Sequence, residues 1–398
     1  MRHPETARHD VVVVGARAAG AATALLLARL GHDVVLVDRA LFPSDTLSTH
    51  QIARGGVVQL ARWGLLDAVL ASGAPAIRDV HFTAGGETVS RRIKPSAGVD
   101  MLLAPRRYVL DTVLVEAAVR AGARLREGVA VSGVLRDRGG RVAGVTGRDL
   151  SGAPVVLEAR YVVGADGLTS GIARSVRAPF TERRGDDGAA EYAYFDGLPW
   201  RGIELYVSEG ALAGVFPTHD DAACVWITSR SGDARAARRT AGSRAAAFAT
   251  RLGRHAPELA ERLSSGRRVS PVTGMLRMPN HVRQAYGPGW ALVGDAGYHR
   301  DAVTGHGLSD AYRDAELLAV ALDRTLTGET DEHTALAGYG RHRDRALREV
   351  FELTCALAAY PAVPRFVELQ RRLSRALDVE AAELAARPVP GARELVPA

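Results

Sequence analysis

The chain has 398 residues, 47% of them hydrophobic, which is enough for two or three domains with a sizeable core. Its formal net charge of +6 comes almost entirely from arginine, since Lys94 is the only lysine, and no aromatic platform accompanies the basic residues, so we expect no nucleic-acid partner. Two widely separated cysteines, Cys224 and Cys355, and the lack of any apolar run near about 20 residues indicate a cytoplasmic protein without a membrane span.

The first predicted unit is a strand, a glycine turn, a helix and a second strand. The apolar run 9–14 is typical of a buried parallel strand, and Gly15-Ala-Arg-Ala-Ala-Gly20 follows it at once. An Ala- and Leu-rich stretch, 21–30, predicts a helix that stops at Gly31, and 33–37 predicts a strand that ends at Asp38. This order is the pattern of a dinucleotide-binding βαβ unit.

The glycine turn predicts where a dinucleotide phosphate would lie. The pattern needs a tight turn at Gly15 and a close approach of helix and strand at Gly20. The amides at the start of the helix, at Ala18 and Ala19, are then expected to face the pyrophosphate. Arg17 stands where a second glycine is expected, so its guanidinium must point aside or meet a phosphate.

The acidic residue at the end of the second strand completes this unit. Asp38 lies close to the expected offset of about 20 residues, and we predict that it accepts a hydrogen bond from a ribose hydroxyl. Arg39 follows it directly and is also predicted to bind the cofactor.

Two later segments repeat the sequence of a strand, a polar turn and a helix start. The apolar run 161–163 leads into Gly164-Ala-Asp166-Gly167, and 291–293 leads into Gly294-Asp295, after which Gly305-His306-Gly307 opens a helix. Strand ends of an open α/β sheet form the edge at which ligands bind, so these turns are expected to face the same ligand as Gly15. Because His299, Asp301 and His306 lack metal-ligand spacing, we predict no metal.

The middle of the chain predicts a second, antiparallel sheet. Its short segments are rich in β-branched and aromatic residues, and they span 191–195, 203–207, 213–216 and 224–227. Residues 80–82 and 101–103 are expected to join it from an earlier excursion of the chain. We predict that this sheet forms a roof over a substrate cavity, with about half of its aromatic side chains facing away from that cavity.

The remaining segments are predicted to be helical. Five arginines fall in an Ala-rich stretch that we interpret as a solvated helix face: Arg235, Arg238, Arg239, Arg244 and Arg251. The chain from Glu332 onward is predicted to be helical up to a Pro/Gly-rich end that begins at Arg387.

These segments resemble those of the FAD-dependent monooxygenase superfamily, which includes para-hydroxybenzoate hydroxylase, geranylgeranyl reductases and tryptophan halogenases, over most of residues 9 to 330. Gly164-Ala-Asp166-Gly167, with Ser170 and Arg174, matches its second fingerprint. Its third, GDAAHxxxPxxGxG, is matched by Gly294, Asp295, Ala296, Gly305 and Gly307, whereas Gly297 and Tyr298 replace the Ala-His pair and Ala302 replaces the proline.

The resemblance implies an α/β fold with a Rossmann-like FAD-binding domain of the glutathione-reductase type, an antiparallel β-sheet substrate domain and a C-terminal helical segment. We assign the FAD-binding domain to 9–73, 104–180 and 286–330, the substrate domain to 74–103 and 181–285, and the helical extension to 331–398. The expected assembly is a monomer or a homodimer.

The resemblance also implies roles for individual side chains in binding FAD. Asp38 would bind the adenosine ribose, Arg107 the FAD phosphate or ribityl region, and Asp295 the ribityl chain. Asp166 would bridge the cofactor and nicotinamide binding.

Arg54 and His306 are the two predicted catalytic residues, and both are also expected to contact FAD. Arg54 looks like the arginine that these enzymes place beside the flavin. His306, between Gly305 and Gly307, would lie against the flavin ring. There it either donates to flavin or substrate, with its charge set near neutral pH by the local field, or only packs the cofactor.

The implied reaction is a monooxygenation. NAD(P)H would reduce FAD, and the oxygen that adds at flavin C4a would pass to an apolar or aromatic small molecule by hydroxylation or epoxidation, in secondary-metabolite biosynthesis. One alternative is a reductase or dehydrogenase of an isoprenoid or polyketide double bond. The segment Arg107-Tyr-Val-Leu-Asp111 resembles the motif of that branch. Another alternative is a non-catalytic flavin-binding protein, whereas the missing WxWxIP motif disfavours a halogenase.

Overall fold

The structure, a computed structural model, describes residues 8–48, 50–185 and 187–391. In chain order its strands are β1 (His9–Val14), β2 (Val34–Val37), β3 (Asp79–Ala84), β4 (Glu87–Arg92), β5 (Arg124–Arg126), β6 (Ala130–Arg136), β7 (Val142–Arg148), β8 (Pro154–Gly164), β9 (Phe180–Arg183), β10 (Gly188–Asp196), β11 (Ile203–Ser208), β12 (Ala211–Pro217), β13 (Ala223–Arg230), β14 (Arg267–Arg268), β15 (Thr273–Met278), β16 (His281–Arg283), β17 (Tyr286–Gly287), β18 (Trp290–Leu292) and β19 (Tyr298–His299). Its α-helices are α1 (Ala18–Arg29), α2 (Arg54–Arg62), α3 (Leu66–Ala71), α4 (Arg107–Arg120), α5 (Gly171–Ser175), α6 (Ser231–Thr240), α7 (Arg244–His255), α8 (Pro257–Arg262), α9 (Gly307–Leu326), α10 (Glu332–Ala358) and α11 (Val363–Ala386).

The first large sheet brings the three glycine motifs to one edge. Its strand order is β17-β18-β8-β1-β2-β5, and β18, β8, β1, β2 and β5 run parallel to one another. The valines of β1 are buried on both faces, as expected for a central parallel strand. Because the strands are parallel, their carboxyl ends meet at the same edge, where Gly15, Asp38, Ala165 and Val293 continue the chain.

The second large sheet confirms most of the predicted roof. Its order is β14-β10-β13-β12-β11-β3-β4, with β15 beside β10, and β10 to β13 contain the predicted segments. Residues 80–82 lie in β3, which pairs with β11. The expectation for 101–103 was wrong, since these residues form only isolated bridges: Leu103 pairs with Ile52, just before α2, and Leu102 pairs with Ile77, just before β3.

The aromatic side chains of this sheet divide between its two faces, as predicted. One face carries Tyr192, Tyr194, Phe216 and Trp226 and packs against α10, α11 and Val303. The other carries Phe195 and Tyr206 and packs against α7 and α8. The first face is therefore the one that meets the loop between Gly294 and Gly307.

The arginine-rich helices α6 and α7 are less solvated than predicted. Glu191 on β10 is fully buried, and its carboxylate accepts from Arg238 at 2.5 Å, Arg244 at 3.0 Å and Arg251 at 2.6 Å. A buried carboxylate needs such partners, so it draws these arginines inward. The expectation of a solvated face was wrong for them.

The C-terminal segment is helical, as predicted, and it forms two long helices. α10 begins at Glu332 and α11 ends at Ala386, and the Pro/Gly-rich end is described as far as Gly391. α11 contacts α2, and α10 contacts α9. Within the described ranges, no helix has the length and apolar character needed to cross a bilayer.

Candidate flavin site

The first glycine turn has the close contacts that a dinucleotide cradle requires. A Cβ at Gly15, where φ is +101°, would lie 2.4 Å from the carbonyl oxygen of Ala165. One at Gly20 would lie 1.7 Å from the oxygen of Gly15. α1 begins without a side-chain cap, so its first-turn amides, including those of Ala18 and Ala19, are available to an anion.

Asp38 holds the glycine turn, and its role toward a ribose stays a prediction. Its Oδ2 accepts from the backbone nitrogen of Ala16 at 2.7 Å, and its Oδ1 accepts from that of Ala40 at 2.8 Å. A carboxylate has about four acceptor sites, so two remain for a ligand hydroxyl. The neighbouring Arg39 is exposed.

The structure shows that Arg17 points aside. Its guanidinium donates to the backbone oxygen of Ser44 at 2.6 Å and to Asp111 Oδ2 at 3.0 Å, and it lies 5.0 Å from the ring centre of Phe42. The side chain therefore ties the glycine turn to α4, which leaves the space above the first turn of α1 clear.

Arg107 and Asp295 are the charged residues predicted to contact the middle of the cofactor, and the two influence each other's charge. Arg107 is 8% exposed, and its Nε donates to Asp111 Oδ1 at 3.1 Å. Burial opposes its charge, yet the carboxylates of Asp111 and Asp295 keep the pKa of Arg107 above its usual value. Asp295 is exposed and forms no hydrogen bond to any part of the chain that the structure describes, so it can accept from a polyol chain.

Asp166 caps the short helix α5. Its carboxylate accepts from Ser170 Oγ at 2.5 Å, from the nitrogen of Gly171 at 2.6 Å and from that of Ile172 at 3.1 Å. This residue therefore stabilises the second motif itself, and its role toward nicotinamide stays a prediction.

Arg54 contacts protein groups on two sides. Its guanidinium donates to the carbonyl oxygen of Val99 at 3.0 Å, and its Nε lies 3.3 Å from a carboxylate oxygen of Asp378 on α11. Since Asp378 is mostly exposed, this ion pair is weak. A role for Arg54 beside the flavin stays a prediction.

His306 is buried and neutral, which corrects the expectation of a charge set near neutral pH. Burial, reinforced by the nearby guanidinium of Arg300, lowers the pKa of His306 to about 4. Its Nδ1 is buried without a hydrogen-bond partner among the described residues. Gly305, directly before it, has φ +65°, and a Cβ there would lie 2.5 Å from Gln51 Oε1.

A second polar cluster, absent from the sequence-based site, lies between the third motif and the roof. His50 is 1% exposed, and its Nδ1 lies 3.0 Å from the oxygen of Ala104 and its Nε2 2.9 Å from the hydroxyl of Tyr194. The guanidinium of Arg106 lies 3.7 Å from the ring centre of Tyr194 and binds Asp45 at 2.8 Å. The available signal was the polar stretch between Ser44 and Gln51, which follows the first βαβ unit.

Taken together, the fold and the site define an FAD-dependent oxidoreductase. The residues fit the cofactor: glycines stand where a Cβ would collide with backbone, the first turn of α1 is uncapped, and Asp295 and Arg107 offer an acceptor and a cation at the same sheet edge.

Comparison with known proteins supports the assignment as an FAD-binding protein. Residues 8–354 match the family described as FAD binding domain, and the chain belongs to that family. It is 29% identical over 366 residues to kynurenine 3-monooxygenase of Salinispora arenicola, covering 83% of this chain and 75% of that protein. It is 24% identical over 319 residues to digeranylgeranylglycerophospholipid reductase of Methanocella arvoryzae, covering 76% and 74%.

A solved structure extends the similarity to the whole fold. Pseudomonas aeruginosa PqsL, in complex with 2-aminobenzoylacetate, superposes with a TM-score of 0.76 at 25% identity, over 92% of this chain and 100% of that one. The protein is thus an FAD-dependent oxidoreductase, and NAD(P)H is the typical reductant of this class.

Proposed function

We propose that this protein is an NAD(P)H- and O2-dependent monooxygenase that hydroxylates or epoxidises an apolar, aromatic small molecule. The observation that carries the proposal is the packing of the aromatic face of β10, β12 and β13 against Val303, in the loop of the third glycine motif. A substrate between this face and the flavin would be held in a dry, apolar surround, which oxygen transfer requires.

The relatives support an aromatic substrate. Kynurenine 3-monooxygenase is named for an aromatic amine, and PqsL binds 2-aminobenzoylacetate, also an aromatic amine. A cytoplasmic location, in keeping with the free thiols of Cys224 and Cys355, and a role in secondary metabolism complete the proposal.

The chain's own residues would bind and orient the cofactor, which supplies the redox chemistry when bound. We assign the pyrophosphate to the first turn of α1, the ribose to Asp38 and the ribityl chain to Asp295. Arg54 and His306 remain the proposed residues beside the flavin ring. His306 would act there as a neutral hydrogen-bonding group, because its pKa is lowered to about 4.

A second candidate function is reduction of an isoprenoid or polyketide double bond. The similarity to digeranylgeranylglycerophospholipid reductase over 76% of the chain favours it. This reaction uses the same FAD site but consumes no oxygen.

The test compares the fate of electrons with and without oxygen. The FAD-loaded protein is supplied with NADPH or NADH and a panel of aromatic ligands, and oxygen uptake and NAD(P)H consumption are recorded together. The monooxygenase predicts ligand-stimulated, equimolar consumption of both. NAD(P)H consumption that continues under argon with an unsaturated isoprenoid acceptor would support the reductase instead.

A further inference from the structure

Two tyrosines on β10 lie side by side on the face that meets the third glycine motif. The ring centres of Tyr192 and Tyr194 are 5.8 Å apart, with the rings at 77°. Both belong to the apolar cluster that contains Val303 from the loop of that motif. Both tyrosines therefore lie on the face of the sheet that packs against this loop.

The hydrogen of Tyr194 is already committed to the protein. The carbonyl oxygen of Ala104 accepts from Thr218 Oγ1 at 2.7 Å and lies 3.0 Å from His50 Nδ1. Because a carbonyl oxygen can only accept, Nδ1 carries the hydrogen, and burial lowers the pKa of His50 to about 3, so Nε2 carries none. Nε2 thus accepts from the Tyr194 hydroxyl at 2.9 Å, and Tyr194 presents only lone pairs to a ligand.

Tyr192 has the opposite hydrogen-bonding role. The backbone nitrogen of Ser48 donates to its hydroxyl oxygen at 3.2 Å. A backbone amide can only donate, so this bond leaves the hydrogen of Tyr192 free. Within the described residues no acceptor takes it, and it is available to a ligand oxygen.

The surrounding groups hold Tyr194 and His50 in place beside the cofactor site. The Arg106 guanidinium lies 3.7 Å from the Tyr194 ring centre, within cation–π range, and Asp45 anchors it. His50 itself has φ +49°, a backbone conformation that non-glycine residues adopt only when the fold requires it. Gln51, next to His50 in the chain, contacts Gly305 of the third glycine motif. Arg107, next to Arg106, binds Asp111.

We propose that Tyr192 and Tyr194 form a donor–acceptor pair that selects substrates carrying both a carbonyl, which accepts from Tyr192, and a hydroxyl or amino group, which donates to Tyr194. His50 is the positioning residue that fixes the direction of the Tyr194 hydrogen. The inference rests on the proposed function and narrows its substrate class to aromatic molecules with both groups.

The test measures dissociation constants by calorimetry on the FAD-loaded protein with three matched probes. They are 5-hydroxy-1-tetralone, its 5-methoxy analogue, which lacks the donor, and 5,6,7,8-tetrahydro-1-naphthol, which lacks the carbonyl. We expect the hydroxyketone to bind about five- to tenfold more tightly than either analogue, the value of one hydrogen bond.

Variants assign each preference to one residue. Tyr194→Phe is expected to abolish the preference for hydroxyl over methoxy and keep that for the carbonyl, and Tyr192→Phe to do the reverse. His50→Asn, which tolerates the left-handed backbone, frees the Tyr194 hydrogen, so the hydroxyl-to-methoxy ratio should fall to about one with Tyr194 still present. Tyr206→Phe, on the opposite face, is the control and should change neither ratio.

A purely structural role for His50 would weaken all probes equally and leave the ratio unchanged, which would overturn its assignment. Equal affinity of the native protein for the three probes, or no binding of any, would overturn the pair. Oxygenation of a ligand without this discrimination would leave the proposed function standing and remove the pair. Discrimination among the probes without oxygen consumption would leave the pair standing and remove the proposed function.

Discussion

The guanidinium of Arg17 lies 3.0 Å from the carboxylate of Asp111, which also accepts from Arg107. One fully buried acid thus neutralises two arginines that belong to different parts of the cradle. Asp111→Ala would leave both cations without this partner, and we expect the free energy of unfolding to fall by about 3 kcal/mol. Urea denaturation measures it, with the exposed Glu116→Ala on the same helix as the control. A variant as stable as the native protein would refute this role.

Asp295→Ala is expected to weaken FAD retention. The carboxylate is exposed at the sheet edge and lacks a partner in the described chain, so its removal should cost the ribityl contact and leave the fold intact. We expect the FAD dissociation constant to rise about tenfold, measured by flavin fluorescence on titrating the apoprotein. Glu209→Ala, which removes an exposed acid in the turn between β11 and β12, is the control. Full yellow occupancy of purified Asp295→Ala would count against the assignment.

Arg54→Ala is expected to slow flavin reduction by NAD(P)H more than it weakens FAD binding. Stopped-flow absorbance under anaerobic conditions measures reduction, and the dissociation constant of FAD measures binding. Asp378→Ala removes the ion-pair partner of Arg54 and keeps the guanidinium. If both variants show the same reduction rate, Arg54 acts only through its contact with α11.

His306→Asn should flatten the dependence of stability on pH. The pKa of His306 falls from 6.5 to about 4 on folding, so between these values the unfolded chain binds a proton that the folded chain does not. Stability from this residue is present above pH 6.5 and is lost as the pH falls toward 4, at up to about 1.4 kcal/mol per pH unit. Urea titrations between pH 4.5 and 7 measure the slope, with exposed His342→Asn as control. An unchanged slope would show that His306 is not held neutral.

The glycine turns and the strand ends around them could be predicted from sequence because their causes are local. Gly15 and Gly20 stand where a side chain would collide with nearby backbone, and the valines of β1 require burial on both faces. The aromatic segments of β10 and β13 likewise follow from period-two patterning.

The side-chain contacts of the site could not be predicted in this way. Arg17 pairs with Asp111, which lies 94 residues later, and Arg54 pairs with Asp378 near the end of the chain. The tautomer of His50 depends on the carbonyl of Ala104, and the neutral state of His306 depends on burial by elements distant in sequence. Such contacts exist only once the fold has formed.

The most direct test of the proposed monooxygenation is isotopic. The FAD-loaded protein is incubated with NADPH, 18O2 and an aromatic ligand that stimulates NADPH consumption, and the product is analysed by mass spectrometry. The account predicts one atom of 18O in the product and none from labelled water. A product that gains two hydrogens and no labelled oxygen, formed equally well without oxygen, would contradict it.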